Sequence, residues 1–373
     1  MKNKNRWIWQ EKEYPNFTFD NSRLEPILLK IKYQQGLLDG IYKTINKDDL
    51  DLAKLEILTT EALDTSAIEG EVLTRDSVRS SILKKLGIDI DKDSSNIQTD
   101  GLIDILLDAT LNYDKEFNLE RLFGWHNALF PSGYNSITKI NVAKFRGVED
   151  MQIVSGPIGK EKVHYIAPPR DSLEKEMDIF LHWLNDDSNL SIIKAGISHL
   201  WFIIIHPLDD GNGRITRALT DMLLARESQQ AYKMYSVSNA IKNDKKNYYD
   251  ILEKTTTGST DITLWLEWFL NTILGALNNS KDNLDFILQK TIFWDRHRET
   301  VLNKRQIKVL NKLLDVGFGN FQGGINTRKY AAITKTSKPT ASREIKDLVE
   351  KECLLQIVGT AGRNISYDVN LQG

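Results

Sequence analysis

The chain has 373 residues, 49 Lys+Arg against 51 Asp+Glu for a formal net charge of −2, and 41% apolar residues. This is the composition of an ordinary globular protein with room for two or three domains, and it exerts no global pull toward nucleic acid or membrane. The single cysteine, Cys353, excludes an intrachain disulfide and a cysteine-built zinc site, and suits a reducing compartment.

The N-terminus, MKNKNRWIWQEKEYPNF, lacks the apolar core of a signal peptide, and the longest apolar run, around WFIII, is far too short to span a membrane. The expectation is a cytoplasmic protein with no membrane partner. Leucine and isoleucine at three- and four-residue spacing predict helices in RLEPILLKIKYQQGLLDGIYKTI and DLAKLEILTTEALDTSAIEG. The same period runs through RDSVRSSILKKLG, TDGLIDILLDATL and LERLFGWHNALF. Residues 150–169 break it: two β-prone runs flank Gly-Pro and Gly-Lys turn signals and predict a hairpin. Helix resumes in SLEKEMDIFLHWLN and SIIKAGISHLWFIII, which Pro207 ends. It continues in RITRALTDMLLARES, NDKKNYYDILEKTTTG and TDITLWLEWFLNTILGALNN. From about residue 300 come further helices, then two strands around a Gly-rich tip.

The chemistry concentrates in HPLDDGNGRITR, from His206 to Arg217. A calcium loop centred on Gly213 fails, because its first and closing ligand positions are Leu208 and Leu219. A plain turn between two core helices explains Gly and Asp but not two arginines on one helical face. A phosphate site uses every residue. Gly211 and Gly213 admit an anion to unsatisfied amides at a helix N-terminus, and Arg214 and Arg217 fork onto outer phosphates. Asp210 can hold Mg2+ against phosphate oxygens, and His206 is a proton acceptor. These residue types favour the phosphate site and leave the turn open.

The stretch resembles the signature of Fic-domain proteins, His-x-Phe-x-Asp/Glu-Gly-Asn-Gly-Arg-x-x-Arg, carried by His206, Asp210, Gly211, Asn212, Gly213, Arg214 and Arg217, with Leu208 at the phenylalanine position. The resemblance implies a mainly α fold: a helical Fic core with a β-hairpin flap, plus a C-terminal winged-helix domain. It implies an ATP-dependent protein adenylyltransferase that moves AMP to a Ser, Thr or Tyr hydroxyl. His206 would be the base and Asp210 the Mg2+ ligand. Asn212 and the amides near Gly211 and Gly213 would stabilise α-phosphate charge, with Arg214 and Arg217 on the β- and γ-phosphates. Flap residues Val163, His164 and Tyr165 would lie beside the triphosphate, Tyr248 or Tyr249 would pack on adenine, and Thr256 would add a nucleotide contact.

Upstream, TSAIEG matches the family's inhibitory helix, Ser/Thr-x-x-x-Glu-Gly/Asn, at Thr65, Glu69 and Gly70; read alone it is a common helix C-cap. The resemblance implies that Glu69 pairs with Arg217 and leaves ATP unproductively bound. Trp7, Trp9, Phe17 and Phe19 lie in a stretch that resembles an N-terminal domain often attached to bacterial Fic proteins, and are expected to pack the domain or a homodimer contact. The C-terminal segment resembles a winged helix-turn-helix, with Ser337 capping the recognition-like helix and Gly359 to Arg363 forming the wing tip. Lys335, Lys338, Arg343 and Arg363 are candidate DNA contacts, while Glu344, Asp347, Glu350 and Glu352 dilute the basic face, leaving DNA and protein docking both open.

The expected division is an N-terminal helical domain over 1–95 that carries the inhibitory helix (51–70), a Fic core over 96–280, a connecting helix over 281–300 and a winged helix over 301–373. The rival reading is a DNA-binding regulator whose Fic part senses a nucleotide without catalysis. The expected partners are ATP and a target protein.

Overall fold

A computed structural model describes residues 7–371 except 46, 89–92, 136–137, 156–161, 232, 315–322, 361 and 363–364. The turn of the expected hairpin, part of the wing tip and Arg363 thus lie outside the described residues. Helices α1 (Asn21–Tyr42), α2 (Lys47–Ile68), α3 (Arg75–Lys85), α4 (Ile97–Leu111) and α5 (Leu119–Leu129) come first. Two short antiparallel pairs follow: β1 (Tyr134–Asn135) with β2 (Thr138–Lys139), and β3 (Gln152–Ser155) with β4 (Lys162–Ile166). Then come α6 (Leu173–Asn185), α7 (Ile192–Ile205), α8 (Asn212–Ser228), α9 (Val237–Asn243), α10 (Lys245–Thr256) and α11 (Thr263–Arg296). The chain closes with α12 (Lys304–Leu314), α13 (Thr327–Thr334), α14 (Lys338–Glu350), β5 (Leu354–Gln356) and β6 (Tyr367–Val369).

Two compact units form, residues 1–40 with 50–280 and residues 41–49 with 281–373. Residues 281–296 of the expected connecting helix are the last part of α11, which runs from Thr263 to Arg296 with no proline between.

In the larger unit α7 is the central helix. Leu200, Phe202, Ile204 and Ile205 are fully buried, so its apolar run is core on all sides. Ser191 caps its start by accepting from Lys194 N at 3.2 Å. Alpha-helices α4 and α5 pack so closely that a Cβ on Gly101 would lie 1.8 Å from the Ala128 carbonyl oxygen. The N-terminal aromatics pack within the chain: Trp9 Nε1 donates to Ile166 O at 2.8 Å, the Trp7 ring meets Tyr165 edge-on, and Phe17 meets Trp201.

In the smaller unit, Val309, Leu310, Leu313, Tyr330, Ala341, Ile345, Leu348, Cys353 and Val369 form the core. Strands β5 and β6 are antiparallel, with Leu354 opposite Val369. Ser337 caps α14 by accepting from Thr340 N. One expectation is corrected here: Glu344 does not dilute a surface. It is 5% exposed and accepts from Tyr330 Oη at 2.9 Å and from the Arg305 guanidinium. No helix among the described residues is long and apolar enough to cross a membrane.

Candidate active site

Pro207 ends α7, and the seam to α8 is a short loop held on every side. His206 adopts the left-handed conformation at φ 48°, Gly211 does so at φ 81°, and α8 starts at Asn212. For His206 that backbone costs about 1–2 kcal/mol, which the surroundings must offset. Arg146 does so: its Nε donates to His206 O at 2.9 Å and its Nη2 to Pro168 O at 2.6 Å. Asp209 accepts from Asn141 N at 2.7 Å and Gly147 N at 3.2 Å. Leu208 is fully buried, so leucine anchors the loop at the signature's phenylalanine position. Gly211 allows close contact, since a Cβ there would sit 3.0 Å from the Phe130 ring.

The two aspartates therefore differ. Asp209 accepts from the amides of residues 141 and 147, whereas Asp210 is one-third exposed, accepts from the Asn135 amide and from Gly211 N, and lies 3.9 Å from Arg214 Nη2. His206 Nδ1 faces Ile203 O at 3.3 Å. A carbonyl only accepts, so Nδ1 carries the proton and Nε2 keeps its lone pair. Desolvation of the ring pushes its pKa down to about 4, so the imidazole is neutral at pH 7, with Nε2 unprotonated, and is a weaker base than a free histidine.

Both signature arginines are buried and already paired. Arg217, 2% exposed, meets Glu69 Oε1 at 2.8 Å and donates to Thr65 Oγ1 at 2.7 Å and Thr65 O at 2.9 Å. Burial alone would raise the Glu69 carboxyl, but the adjacent guanidinium outweighs it and holds the pKa below the usual value. Arg214 Nη1 meets Glu71 Oε2 at 2.8 Å, and its guanidinium stacks 5.0 Å over the Phe130 ring. Glu71 has no place in any motif, so sequence reasoning missed it.

The local fold explains how both acids arrive. Gly70, at φ 84°, reverses α2: Gly70 N donates to Ala67 O and Glu71 N to Ser66 O, a left-handed C-cap with Glu69 at the cap position. The cap and the pairing are thus one structure. Helix α2 is held by polar contacts too: Glu61 accepts from Ser236 and Ser238, and Asp64 from Asn239 and Lys242. The Glu69 carboxylate lies over the first turn of α8, where a Cβ on Gly213 would fall 2.0 Å from Glu69 Oε1. First-turn amides have no acceptor within their helix, and the dipole there favours an anion.

Several expected contacts fall elsewhere. The Asn212 side chain braces the loop, donating to Leu208 O at 2.8 Å and accepting from Leu208 N at 3.1 Å, so its amide is not turned toward a phosphate. Tyr165 is buried, with its hydroxyl on Ile204 O, and is core rather than nucleotide contact. Tyr248 is also buried, bonded to His199 Nε2 at 3.0 Å, and only Tyr249 presents an exposed ring. Thr256 is 2% exposed and bonds back to Leu252 O on its own helix. Val163 is exposed on β4, and His164 meets Glu253 at 2.6 Å, tying the hairpin to α10. His199, whose other nitrogen meets Thr220, and Arg146 carry no sequence signal beyond their type.

Residues 116–224 match the family model described as Fic/DOC family, and residues 7–88 match one described as a domain of unknown function (DUF4172). A protein adenylyltransferase Fic of Drosophila virilis is 25% identical over 263 residues, 66% of this chain and 50% of that one. The chain spans about half the length of the curated relatives it matches. Among solved structures, a Fic family protein from Desulfovibrio desulfuricans G20 superposes with TM-score 0.56 at 17% identity, over 96% of this chain and 99% of that one. Fic-1 (residues 134–508) from C. elegans superposes with TM-score 0.50 at 18% identity, over 72% and 76%. Residues 116–224 thus match the Fic/DOC family model, and the mainly helical fold is shared with these structures.

Proposed function

We propose that this Fic-domain chain is an autoinhibited protein adenylyltransferase. It transfers AMP from ATP to a Ser, Thr or Tyr hydroxyl of a protein, itself included. One observation carries the reading: the Glu69 carboxylate sits over the first turn of α8 and on Arg217, beside the neutral His206. That is the ground a triphosphate needs, and an internal anion holds it. The name of the Drosophila relative supports the same chemistry.

In the proposed reaction His206 Nε2 takes the proton from the target hydroxyl, whose oxygen attacks the α-phosphorus. The bond to the bridging oxygen breaks and pyrophosphate leaves with its electron pair. Amides of the α8 first turn stabilise the developing α-phosphate charge, and Arg214 and Arg217 hold the outer phosphates. The target segment pairs along the β3–β4 hairpin by strand addition. Asp210 fits Mg2+: it is a part-exposed hard-oxygen donor, and that ion takes its other ligands from phosphate and water. When bound, the ion neutralises phosphate charge. In the restrained state Glu69 keeps Arg217 from the γ-phosphate, and Glu71 neutralises Arg214 from the same turn. The rival of a non-catalytic sensor gives the neutral His206, with its unprotonated Nε2, no task.

The test is incorporation of labelled AMP, with ATP and Mg2+, read by mass spectrometry. Glu69→Gly raises incorporation into the chain or a target, and His206→Ala in the same background abolishes it. Incorporation that survives His206→Ala, or is absent from Glu69→Gly although ATP binds, refutes the assignment.

A further inference from the structure

We propose that His126 is a positioning residue of the nucleotide site: when the Asp210 carboxylate turns to a divalent cation, the His126 ring N–H takes the Asp210 carbonyl and fixes the loop. This role rests on the proposed reading of the loop as an ATP site. The carrying observation is a fully buried imidazole, neither of whose ring nitrogens has a hydrogen-bond partner among the described residues. The other two buried histidines among those residues differ. His199 bonds through both nitrogens, to Thr220 and Tyr248, and His297 through Nδ1 to Thr300. Every imidazole carries at least one N–H, and an unpaired buried donor is unfavourable enough to be rare in native proteins. Leucine would serve packing better, as Leu122 and Leu129 do on the same face of α5.

The place of the ring identifies its missing partner. The end of α5 is the floor of the loop: a Cβ on Gly211 would lie 3.0 Å from the Phe130 ring and 3.1 Å from Leu129 Cδ1, and Arg214 stacks on the same Phe130. His126 meets Phe130 edge-on, with centroids 5.4 Å apart. It faces the Asp210 main chain, with Asp209 and Arg214 as the charged side chains around it, but the approach falls short of a hydrogen bond. Meanwhile the Asp210 carboxylate is satisfied locally, by the Asn135 amide and by Gly211 N. Asp210 O and Gly211 N belong to one peptide group. A carboxylate that leaves Gly211 N for a cation therefore frees that peptide to tilt, and Gly211 has the backbone freedom to follow. A trans peptide points its C=O and N–H in opposite directions. A carbonyl held on His126 thus aims Gly211 N–H away from the α5 floor, toward the phosphates.

The test is calorimetric ATP binding by the full chain carrying Glu69→Gly, with Mg2+ and again in EDTA. The readout is the gain in ATP affinity that Mg2+ confers. His126→Leu reduces this gain about fivefold, the worth of one hydrogen bond, and leaves binding in EDTA unchanged. His126→Gln and His126→Asn each return an amide N–H near one ring nitrogen, and one of the two restores the gain. Leucine removes two unpaired polar atoms, so without nucleotide His126→Leu melts no lower. An unchanged gain in His126→Leu overturns the proposal. So does an equal loss with Mg2+ and in EDTA, a lower melting temperature in the leucine variant, or failure of both amides to restore the gain. If the Glu69→Gly chain with His126 intact binds no ATP, the reading of the loop falls as well, so the two failures are told apart.

Discussion

Glu69→Gln separates a competitor from a strut. The substitution keeps the shape of the side chain and removes its charge, while Thr65 continues to hold Arg217 through Nε and Nη2. A hydrogen bond to a charged group contributes about 1.5–3 kcal/mol, and this one joins a guanidinium that is 2% exposed to a carboxylate that is 32% exposed. Taking about 2 kcal/mol, the unliganded protein melts about 4–8 °C lower. If the carboxylate competes with phosphate for Arg217, the same 2 kcal/mol returns as about 30-fold tighter productive ATP binding. The assay pairs thermal unfolding without nucleotide with calorimetric ATP titration and AMP incorporation. A lower melting temperature with unchanged ATP affinity and unchanged incorporation refutes the reasoning, since Glu69 would then be a structural cap alone.

The acid limb of AMP transfer by the released enzyme should lie near or below pH 4 rather than at 6.5, because burial lowers the His206 pKa to about 4. By the same shift the unfolded chain binds a proton below pH 6.5 that the folded chain refuses. This contribution to stability is present above that pH and is lost as pH falls toward 4, which urea midpoints across the window will read. Arg146→Ala strips two donors from the His206 and Pro168 carbonyls, so it should cost about 2–4 kcal/mol in urea unfolding and lower turnover of the Glu69→Gly enzyme. Gly101→Ala gains about 0.5–1 kcal/mol of helix propensity but drives a methyl into the Ala128 carbonyl at a cost of about 3 kcal/mol, for a net loss of about 2 kcal/mol by denaturant midpoint.

Most helices were legible because an amphipathic period survives without knowledge of partners, as in α5 and α6. Helix α9 was not, because seven residues span barely two turns and its fixed partners, Glu61 and Asp64, lie far back in the chain. Within the loop, sequence spacing alone selected a phosphate site over a calcium site, because Leu208 and Leu219 lack ligand oxygens. It singled out Asp210, but gave no sign that the backbone amides of residues 141 and 147 would hold Asp209.

The sequence by itself thus determined the helical class, the glycine- and arginine-rich motif from His206 to Arg217 and the C-cap at Gly70, all local patterns of side-chain type and spacing. Tertiary structure decided the rest. Asn212 became a brace, Tyr165 and Tyr248 became core, and Glu344 turned inward, because burial is set by what packs opposite a residue. The pairing of Glu71 with Arg214 likewise joins positions 143 residues apart, a distance over which no local pattern carries information.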